Sequence, residues 1–242
     1  MKRADQIWQD GEIASRFLGV RTAFPYALDH PKIMLELLGT GRPIKRFVDV
    51  GCGAGFFSAA VHSRWPEAVA VLVDFSEPML EEARKNLIGP AEVHALDLMS
   101  DTWPERLGVA DAVVSGFAIH HLPHPIKQRV YRDIYALLEP GGWFVHIEHV
   151  ASASSLGTEL FDRQVVESLH RHLVQEDPAL TPEGVANRYC DQCDQEANIL
   201  APVELQCDWL REIGYVEVDC YFKSYEIAIF AGRTLDAKVE SL

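Results

Sequence analysis

The sequence predicts an α/β protein in which a mostly parallel sheet is covered by helices on both faces. Short apolar runs rich in β-branched residues alternate with helical segments along residues 47–148. These runs are continuously apolar, as expected of strands buried on both faces, and such strands need helical crossovers between them. A length of 242 residues is compatible with one domain carrying an insertion.

The central strands and helices can be placed in order from apolar periodicity and from helix-start and helix-stop residues. The predicted strands cover residues 47–50, 68–74, 92–97, 111–116 and 142–148. The helices between them cover residues 56–64, 76–87 and 125–138. Ser76 is the expected N-cap of the second helix, and the Glu-Pro-Gly-Gly sequence at 139–142 predicts a turn.

The end of the chain is predicted to complete the sheet. An amphipathic helix over 205–213 is followed by Gly214, a typical C-cap, and then by two strands over 215–222 and 226–231. The three residues between these strands predict a hairpin.

Residues 151–201 interrupt the alternation, because a direct crossover would be much shorter. This segment predicts one amphipathic helix over 158–175 and a second helical piece over 187–200, and it carries nine acids against three arginines. We interpret it as a helical cap inserted at the edge of a binding site, since insertions of this kind often shape a substrate pocket.

Composition and charge limit the possible partners. The chain has 36 acidic residues against 22 lysines and arginines, for a formal net charge of −14. Such a charge repels phosphate backbones and anionic membrane surfaces, which argues against a nucleic-acid or membrane partner. An N-terminus that is polar from the start, and apolar runs too short to span a bilayer, predict a cytoplasmic location. The five cysteines are an odd set, consistent with free thiols in a reducing compartment.

The most specific motif is the glycine loop after the first strand, which reads D-x-G-x-G-x-G over residues 49–55. Glycines let the backbone approach a ligand closely and adopt positive φ. The dinucleotide fingerprint G-x-G-x-x-G would need glycine at the position of Phe56. The motif therefore argues against an oxidoreductase that binds NAD(P).

Candidate polar residues fall at the carboxyl ends of four predicted strands. Asp49 lies beside the glycine loop, Asp74 closes the second strand, Asp97 the third, and Ser115 lies at the end of the fourth. In open α/β sheets, ligands bind in the crevice outside these strand ends. Four such groups in register predict one shared ligand site.

These segments resemble successive motifs of small-molecule-type class I methyltransferases that depend on S-adenosylmethionine (SAM). The resemblance rests on residues 48–57, 73–80, 95–97, 111–122 and 137–142. Residues 17–26, 148–150 and 209–215 resemble a bacterial subgroup of that family, and residues 151–201 match least well.

The resemblance implies a three-layer α/β/α sandwich whose seven-stranded sheet has an antiparallel final strand. It also implies SAM as methyl donor and S-adenosylhomocysteine as product. We expect one methyltransferase domain over residues 1–242. Its predicted parts are an N-terminal helical lid over 1–40, a SAM-binding core over 41–150, the cap over 151–201, and a final helix and hairpin over 202–242.

The resemblance also assigns roles to the strand-end residues. Asp74 is expected to accept hydrogen bonds from the ribose, Asp97 and Leu98 to contact the adenine, and Asp49 to brace the loop or hold the amino group. The predicted cofactor-binding residues are Arg21, Tyr26, Asp49, Gly51, Cys52, Gly53, Gly55, Asp74, Phe75, Met79, Asp97, Leu98, Ser115, Gly116 and Phe117. Arg21 is expected to pair with the methionine carboxylate or with an acidic acceptor.

Transfer to an oxygen or a protonated nitrogen needs a base. The candidates are His120 and His121 after the fourth strand, because an imidazole with a pKa near 6.5 suits this role. His121 is slightly favoured, since similar sugar N-methyltransferases have a histidine near this place. Glu148 and His149, at the end of the fifth strand, are further candidates, and strand alternation should turn them to opposite sides.

The expected function is methyl transfer to oxygen or nitrogen of a small molecule. The alternatives are a tRNA or protein methyltransferase, which needs a basic surface at the pocket mouth, and a SAM-binding module without catalysis. Cys190 and Cys193 form one isolated Cys-x-x-Cys pair, whereas structural zinc needs four ligands, so no metal is predicted. The sequence leaves the oligomeric state open.

Overall fold

A seven-stranded sheet forms the centre of the computed structural model, which describes residues 3–190 and 197–237. The strands are β1 (Arg46–Val50), β2 (Val69–Asp74), β3 (Ala91–Ala95), β4 (Ala110–Gly116), β5 (Leu138–His149), β6 (Val216–Ser224) and β7 (Ile227–Arg233). Their order is β3-β2-β1-β4-β5-β7-β6, and β7 alone runs antiparallel to both of its neighbours. This confirms the predicted fold, including its reversed final strand.

Helices cover both faces of the sheet. They are α1 (Gly11–Val20), α2 (His30–Leu38), α3 (Phe56–Arg64), α4 (Glu77–Asn86), α5 (His124–Leu137), α6 (Ser155–Leu173), α7 (Pro182–Val185) and α8 (Val203–Ile213). Short 3-10 helices occupy Ala4–Gln9, Arg21–Ala23 and Ile119–His121. Alternate residues of β1 divide between two cores: Val48 packs with residues of α5 and α8, and Phe47 with residues of α2, α3 and α4. Among the described residues, no helix is long and apolar enough to cross a bilayer.

The structure corrects three of the predicted boundaries. Residues 139–142 continue β5 rather than forming a separate turn, because Gly141 takes φ +76° and Gly142 accepts a backbone hydrogen bond from Thr234 at 3.0 Å. Strand β3 ends at Ala95, so Asp97 lies in the loop beyond it. The second cap helix predicted over 187–200 is absent from residues 197–200, and the π-helical turn at Ala186–Cys190 is all that the described part shows of it.

The N-terminal segment and α6 pack together over one edge of the sheet. Val20 at the end of α1 contacts a small core formed with Phe161, Val165 and Leu169 of α6, and Ile227 of β7 belongs to the same core. Two segments distant in sequence therefore share one apolar contact above the carboxyl ends of β4 and β5. Beneath them lies the cavity described below.

Candidate active site

A cavity of about 510 Å³ opens at the carboxyl ends of the parallel strands, within the usual size range of small-molecule sites. Its floor comes from the glycine loop and the residues after β2, β3 and β4, and its roof from the N-terminal segment and α6. Of the predicted site residues, those lining it are Arg21, Gly51, Cys52, Gly53, Asp74, Phe75, Met79, Asp97, Leu98, Gly116, Phe117, His120, His121 and His149.

Five predicted residues lie outside the lining. Asp49 is fully buried beneath the loop, and the Ser115 hydroxyl donates to the Val50 carbonyl at 2.7 Å, which ties β4 to β1. Gly55 starts α3 in a left-handed conformation. Tyr26 is exposed and packs edge-on against Phe222. The fifth residue, Glu148, lies behind His120.

The glycine loop is held in a shape that side chains would disrupt. Gly51 has φ +68° and Gly53 has φ +51°. A Cβ atom on Gly51 would lie 2.1 Å from that of Ala118, so this position requires glycine sterically as well as conformationally. The Val73 carbonyl accepts hydrogen bonds from the amides of Gly51 and Cys52 at 2.7 and 3.0 Å. The loop backbone thus forms one wall of the cavity.

Asp74 is fixed by the loop it faces. Its Oδ2 accepts the Gly53 amide at 2.8 Å, and its Oδ1 accepts the Ser76 amide at 2.9 Å. Burial raises the pKa of Asp74, and these amides offset part of that rise. Each carboxylate oxygen can accept a second hydrogen bond, so the residue can still receive two donors from a ligand.

Asp49 and Arg21 are two buried groups of opposite charge beside the loop that do not form a direct ion pair. Ser58 donates to Asp49 Oδ2 at 2.6 Å, but Oδ1 is buried without a hydrogen-bond partner among the described residues. Burial raises the pKa of Asp49 to about 6. The Arg21 guanidinium lies 4.3 Å above the Phe56 ring, and burial lowers its pKa to about 10. No acidic side chain in the described part of the chain lies within ion-pair distance of Arg21.

The start of the chain reaches across the cavity to three different elements. Arg3 pairs with Asp97 at 2.7 Å, and Ser76 donates to the Trp8 carbonyl at 2.5 Å. The Trp8 indole donates from Nε1 to His121 Nε2 at 3.0 Å. The predicted adenine contact Asp97 is thereby tied to the N-terminal segment through Arg3.

His120 has the geometry of a base oriented by a carboxylate. Its Nδ1 lies 2.5 Å from Oε1 of Glu148, which is 1% exposed, and its Nε2 has no hydrogen-bond partner among the described residues. Burial lowers the pKa of His120, while the charge and hydrogen bond of Glu148 oppose that effect. Nε2, at the opposite edge of a ring that lines the cavity, remains available to a ligand.

His121 uses both of its ring nitrogens for structure. Nε2 accepts from Trp8, so the ring proton belongs on Nδ1, which lies 3.3 Å from the Ala197 carbonyl. Burial, followed by the charge of His120, holds the pKa of His121 well below its usual value. The neutral ring therefore connects the N-terminal segment to the end of the cap segment.

The sequence analysis missed a polar group on the acceptor side. Glu226 accepts from Thr158 at 2.6 Å and lies 3.1 Å from His149 Nε2, and all three residues line the cavity. Glu148 and His149 do face different surroundings, as strand alternation predicts, with the His149 ring 5.0 Å from Phe161. Glu226 could not be identified from the sequence because it begins a predicted strand and belongs to no motif. Only the fold brings it next to Thr158.

The charge of the lining suits a cationic ligand. Among the described residues, Arg21 is the one lysine or arginine on the cavity wall, against the five acids Asp5, Asp74, Asp97, Asp162 and Glu226. SAM carries a sulfonium, an ammonium and a carboxylate. The buried Asp49 supplies negative charge toward the two cationic groups, and the unpaired Arg21 supplies positive charge for the carboxylate. Asp74 has free acceptor capacity for the ribose hydroxyls. The residues present therefore fit SAM.

The predicted isolated Cys-x-x-Cys pair is Cys190 and Cys193. The Cys190 side chain and Cys193 lie outside the described part of the chain.

Comparison with known proteins agrees with this geometry. Residues 47–142 match the sequence profile of the family described as "Methyltransferase domain". The demethylmenaquinone methyltransferase of Clavibacter sepedonicus is 26% identical over 234 residues, covering 90% of this chain and 88% of that protein. The carboxy-S-adenosyl-L-methionine synthase of Trichodesmium erythraeum (strain IMS101) is 29% identical over 114 residues, covering 46% of this chain and 45% of the relative. An O-methyltransferase family protein from Burkholderia thailandensis superposes with a TM-score of 0.62 at 16% identity, covering 87% of this chain and 57% of that one.

Residues 47–142 therefore resemble the methyltransferase domain of this family, and the chain has the fold of the O-methyltransferase family protein from Burkholderia thailandensis. The predicted fold is confirmed, and the comparisons agree with the predicted family and with SAM as cofactor. The match spans less than half of the synthase and somewhat more than half of the Burkholderia protein.

Proposed function

We propose that the protein transfers the methyl group of SAM to an oxygen or nitrogen of a small molecule, with His120 as general base. One observation carries this proposal. His120 lines the cavity beside the glycine loop, and the buried carboxylate of Glu148 holds it at Nδ1. A histidine bonded to a carboxylate at one nitrogen and exposed to a ligand at the other is the arrangement that general-base catalysis needs.

The cofactor half of the cavity binds SAM and orients it. When bound, SAM supplies an electrophilic methyl on a positively charged leaving group. Asp74 would hold the ribose hydroxyls, Arg21 the methionine carboxylate, and Asp49 would compensate the positive end beneath the loop. Accurate placement matters, because holding reacting groups in line at contact distance contributes about 7–11 kcal/mol to a lowered barrier.

The acceptor half removes a proton. With Nδ1–H donated to Glu148, His120 presents a lone pair at Nε2 and can take the proton of a hydroxyl or ammonium acceptor. The positive charge that then forms on His120 lies against an ionised carboxylate. Burial raises the pKa of Glu148, but the charges and hydrogen bonds of His120 and His146 outweigh it and hold that pKa well below its usual range.

The cavity supports a small acceptor. A volume of about 510 Å³ must hold both the cofactor and the acceptor, and Phe161 and Val165 of α6 close the roof above the acceptor side. The acidic lining disfavours a phosphate backbone, which argues against tRNA. The predicted lid over 1–40 and cap over 151–201 enter the proposal as the two segments that enclose the acceptor.

The first experiment uses SAM carrying a heavy-isotope methyl group, incubated with the protein and with a fractionated cell lysate. We expect label in the low-mass fraction, and none with the His120→Ala variant that still binds SAM in calorimetry. Label in RNA or protein would contradict the small-molecule acceptor. Calorimetric SAM binding without label in any fraction would support a binding module without catalysis.

A further inference from the structure

A chain of buried side chains continues behind the proposed base, away from the cavity. Glu148 Oε2 lies 2.9 Å from Nε2 of His146, whose Nδ1 lies 3.3 Å from the Tyr131 hydroxyl. Tyr131 donates to Gln206 Oε1 at 2.6 Å. The Gln206 side chain in turn donates to the Ala201 carbonyl at 3.0 Å.

The direction of each hydrogen bond can be assigned from the far end of this chain. The Ala201 carbonyl only accepts, so Gln206 directs its NH₂ there and its Oε1 toward Tyr131. Tyr131 has one proton, which Gln206 Oε1 receives. The phenol oxygen can therefore only accept from His146, and His146 must carry a proton on Nδ1.

The other nitrogen of His146 then decides the charge of the network. Nε2 of His146 and Oε2 of Glu148 lie at ion-pair distance, and neither has a hydrogen-bond partner among the described residues. Two lone pairs at this distance, buried together, would repel. Because Nδ1 already holds one proton, a proton on Nε2 makes the ring an imidazolium beside the Glu148 carboxylate.

We propose that His146 is a positioning residue whose imidazolium directs the Glu148 carboxylate at His120, which leaves His120 with a bare Nε2. This inference rests on the proposed role of His120 as base. Glu148 thereby lies between two histidines with different tasks: His120 faces the ligand, and His146, fully buried, faces the core.

The surroundings of His146 contain few other charges. Its neighbours on the adjacent strands are Ser115 of β4 and Phe230 of β7. Phe144 stacks on its ring within β5. The titratable or charged groups facing this network are Lys127 and Tyr131 of α5, Cys207 of α8, Tyr215 before β6, and His120 and His149 at the cavity. Lys127 donates to the Ile119 carbonyl at 2.6 Å, so its ammonium is held beside the loop that carries His120.

Removing the positive charge of His146 should strengthen proton binding at His120, the proposed base. His120 would be surrounded by less positive charge and would hold its proton more tightly, so the acidic limb of the kcat–pH profile should move to higher pH. We expect a shift of about one pH unit in His146→Phe, together with at least a tenfold lower kcat on the plateau because Glu148 loses its orientation.

The conservative variant separates charge from shape. His146→Gln keeps an N–H donor near Glu148 but carries no charge, so its plateau kcat should return to within about threefold of the parent while the shifted limb remains. Phe230→Leu is the matched control, since Phe230 packs on the His146 ring at 4.8 Å and carries no charge. Loss of rate in all three variants without movement of the limb would mean a merely structural role and would overturn the proposal.

A second measurement does not depend on turnover. In protein labelled with ¹⁵N-histidine, two-bond ¹⁵N–¹H spectra distinguish imidazolium from neutral rings, and His146→Gln assigns the signal. We expect the spectrum of the His146 ring at pH 7.5 to be that of an imidazolium. A neutral His146 at pH 7.5 would place the proton on Glu148 and defeat the inference, even where methyl transfer is observed. An imidazolium in a protein that labels no acceptor would instead defeat the proposed function.

Discussion

In the proposed cofactor half of the cavity, backbone amides close in sequence join the glycine loop to Asp74, whereas in the proposed acceptor half side chains meet across long separations. Gly53 and Asp74 are 21 residues apart, and Asp74 and Ser76 two. By contrast, Thr158 and Glu226 are 68 residues apart, and Trp8 and His121 are 113. A local sequence pattern therefore suffices to position the glycine loop and Asp74, while the contacts of Thr158 and His121 depend on the whole fold.

The sharpest test of this division replaces the base. His120→Ala should lower kcat by about 100- to 10,000-fold, the range for loss of a general base, and leave SAM affinity within about threefold. The matched control is His121→Ala, which should cost less than tenfold in kcat. If His121→Ala were the more damaging change, the base would be the histidine that holds Trp8.

The dependence of kcat on pH in the unmodified protein is a second test of His120. His120 must be neutral to accept a proton, and burial lowers its pKa. Activity should therefore rise with pH, with the midpoint of its acidic limb below about pH 6.5, the ordinary histidine pKa. An acidic limb well above that value would show that the Glu148 carboxylate dominates over burial.

Burial of Asp49 in the proposed cofactor half should lower the free energy of unfolding at neutral pH. The pKa of Asp49 is raised from 3.8 to about 6, which corresponds to about 3 kcal/mol. Because the folded state binds this proton more tightly, the contribution of Asp49 to stability is fully present below about pH 4 and is lost as pH rises through about 6. Asp49→Asn should remove this slope in urea unfolding of the cofactor-free protein and raise its stability at pH 7.

That stabilised variant should also bind SAM more weakly, since Asp49 then no longer supplies a negative charge beneath the loop. Ser58→Ala is a useful control, because it removes a hydrogen bond to Asp49 and leaves the charge. A pH slope that persists in Asp49→Asn would assign the titration to another group.

The affinity for SAM tests the proposed cofactor half through a smaller expected effect. Asp74→Ala should raise the SAM dissociation constant at least tenfold, or about 1.4 kcal/mol, from the loss of a paired ribose contact. Calorimetry measures this directly, with Glu82→Ala on the exposed face of α4 as the control. Unchanged affinity in Asp74→Ala would remove Asp74 from the site.

The smallest expected effect lies where the two halves meet. Trp8→Phe keeps an aromatic ring but removes the hydrogen bond to His121, so SAM affinity should fall about three- to fivefold with kcat at saturation unchanged. Trp65→Phe is the matched substitution, because Trp65 directly follows α3 and does not line the cavity. A large loss of kcat in Trp8→Phe would show that this residue orients the acceptor as well as closing the cavity.

The contrast between the halves also explains what could be predicted from the sequence. The glycine loop and Asp74 could be placed because each follows directly from a strand that is apolar throughout, so a local pattern determines its position. The turn at 139–142 was wrong because backbone pairing with Thr234, far along the chain, extends β5 through it. Glu226 and His146 carry no local signal. Their roles arise from neighbours that only the folded sheet provides.

The acidic lining of the cavity has a consequence for turnover. Methyl transfer converts a sulfonium into a neutral thioether, so S-adenosylhomocysteine carries one positive charge fewer than SAM. Among the described residues, the cavity wall carries five carboxylates and one guanidinium, so it should attract the donor more strongly than the product. We expect each cycle of the proposed methyl transfer to weaken binding in the cavity, which would favour exchange of the product for a fresh cofactor over product inhibition.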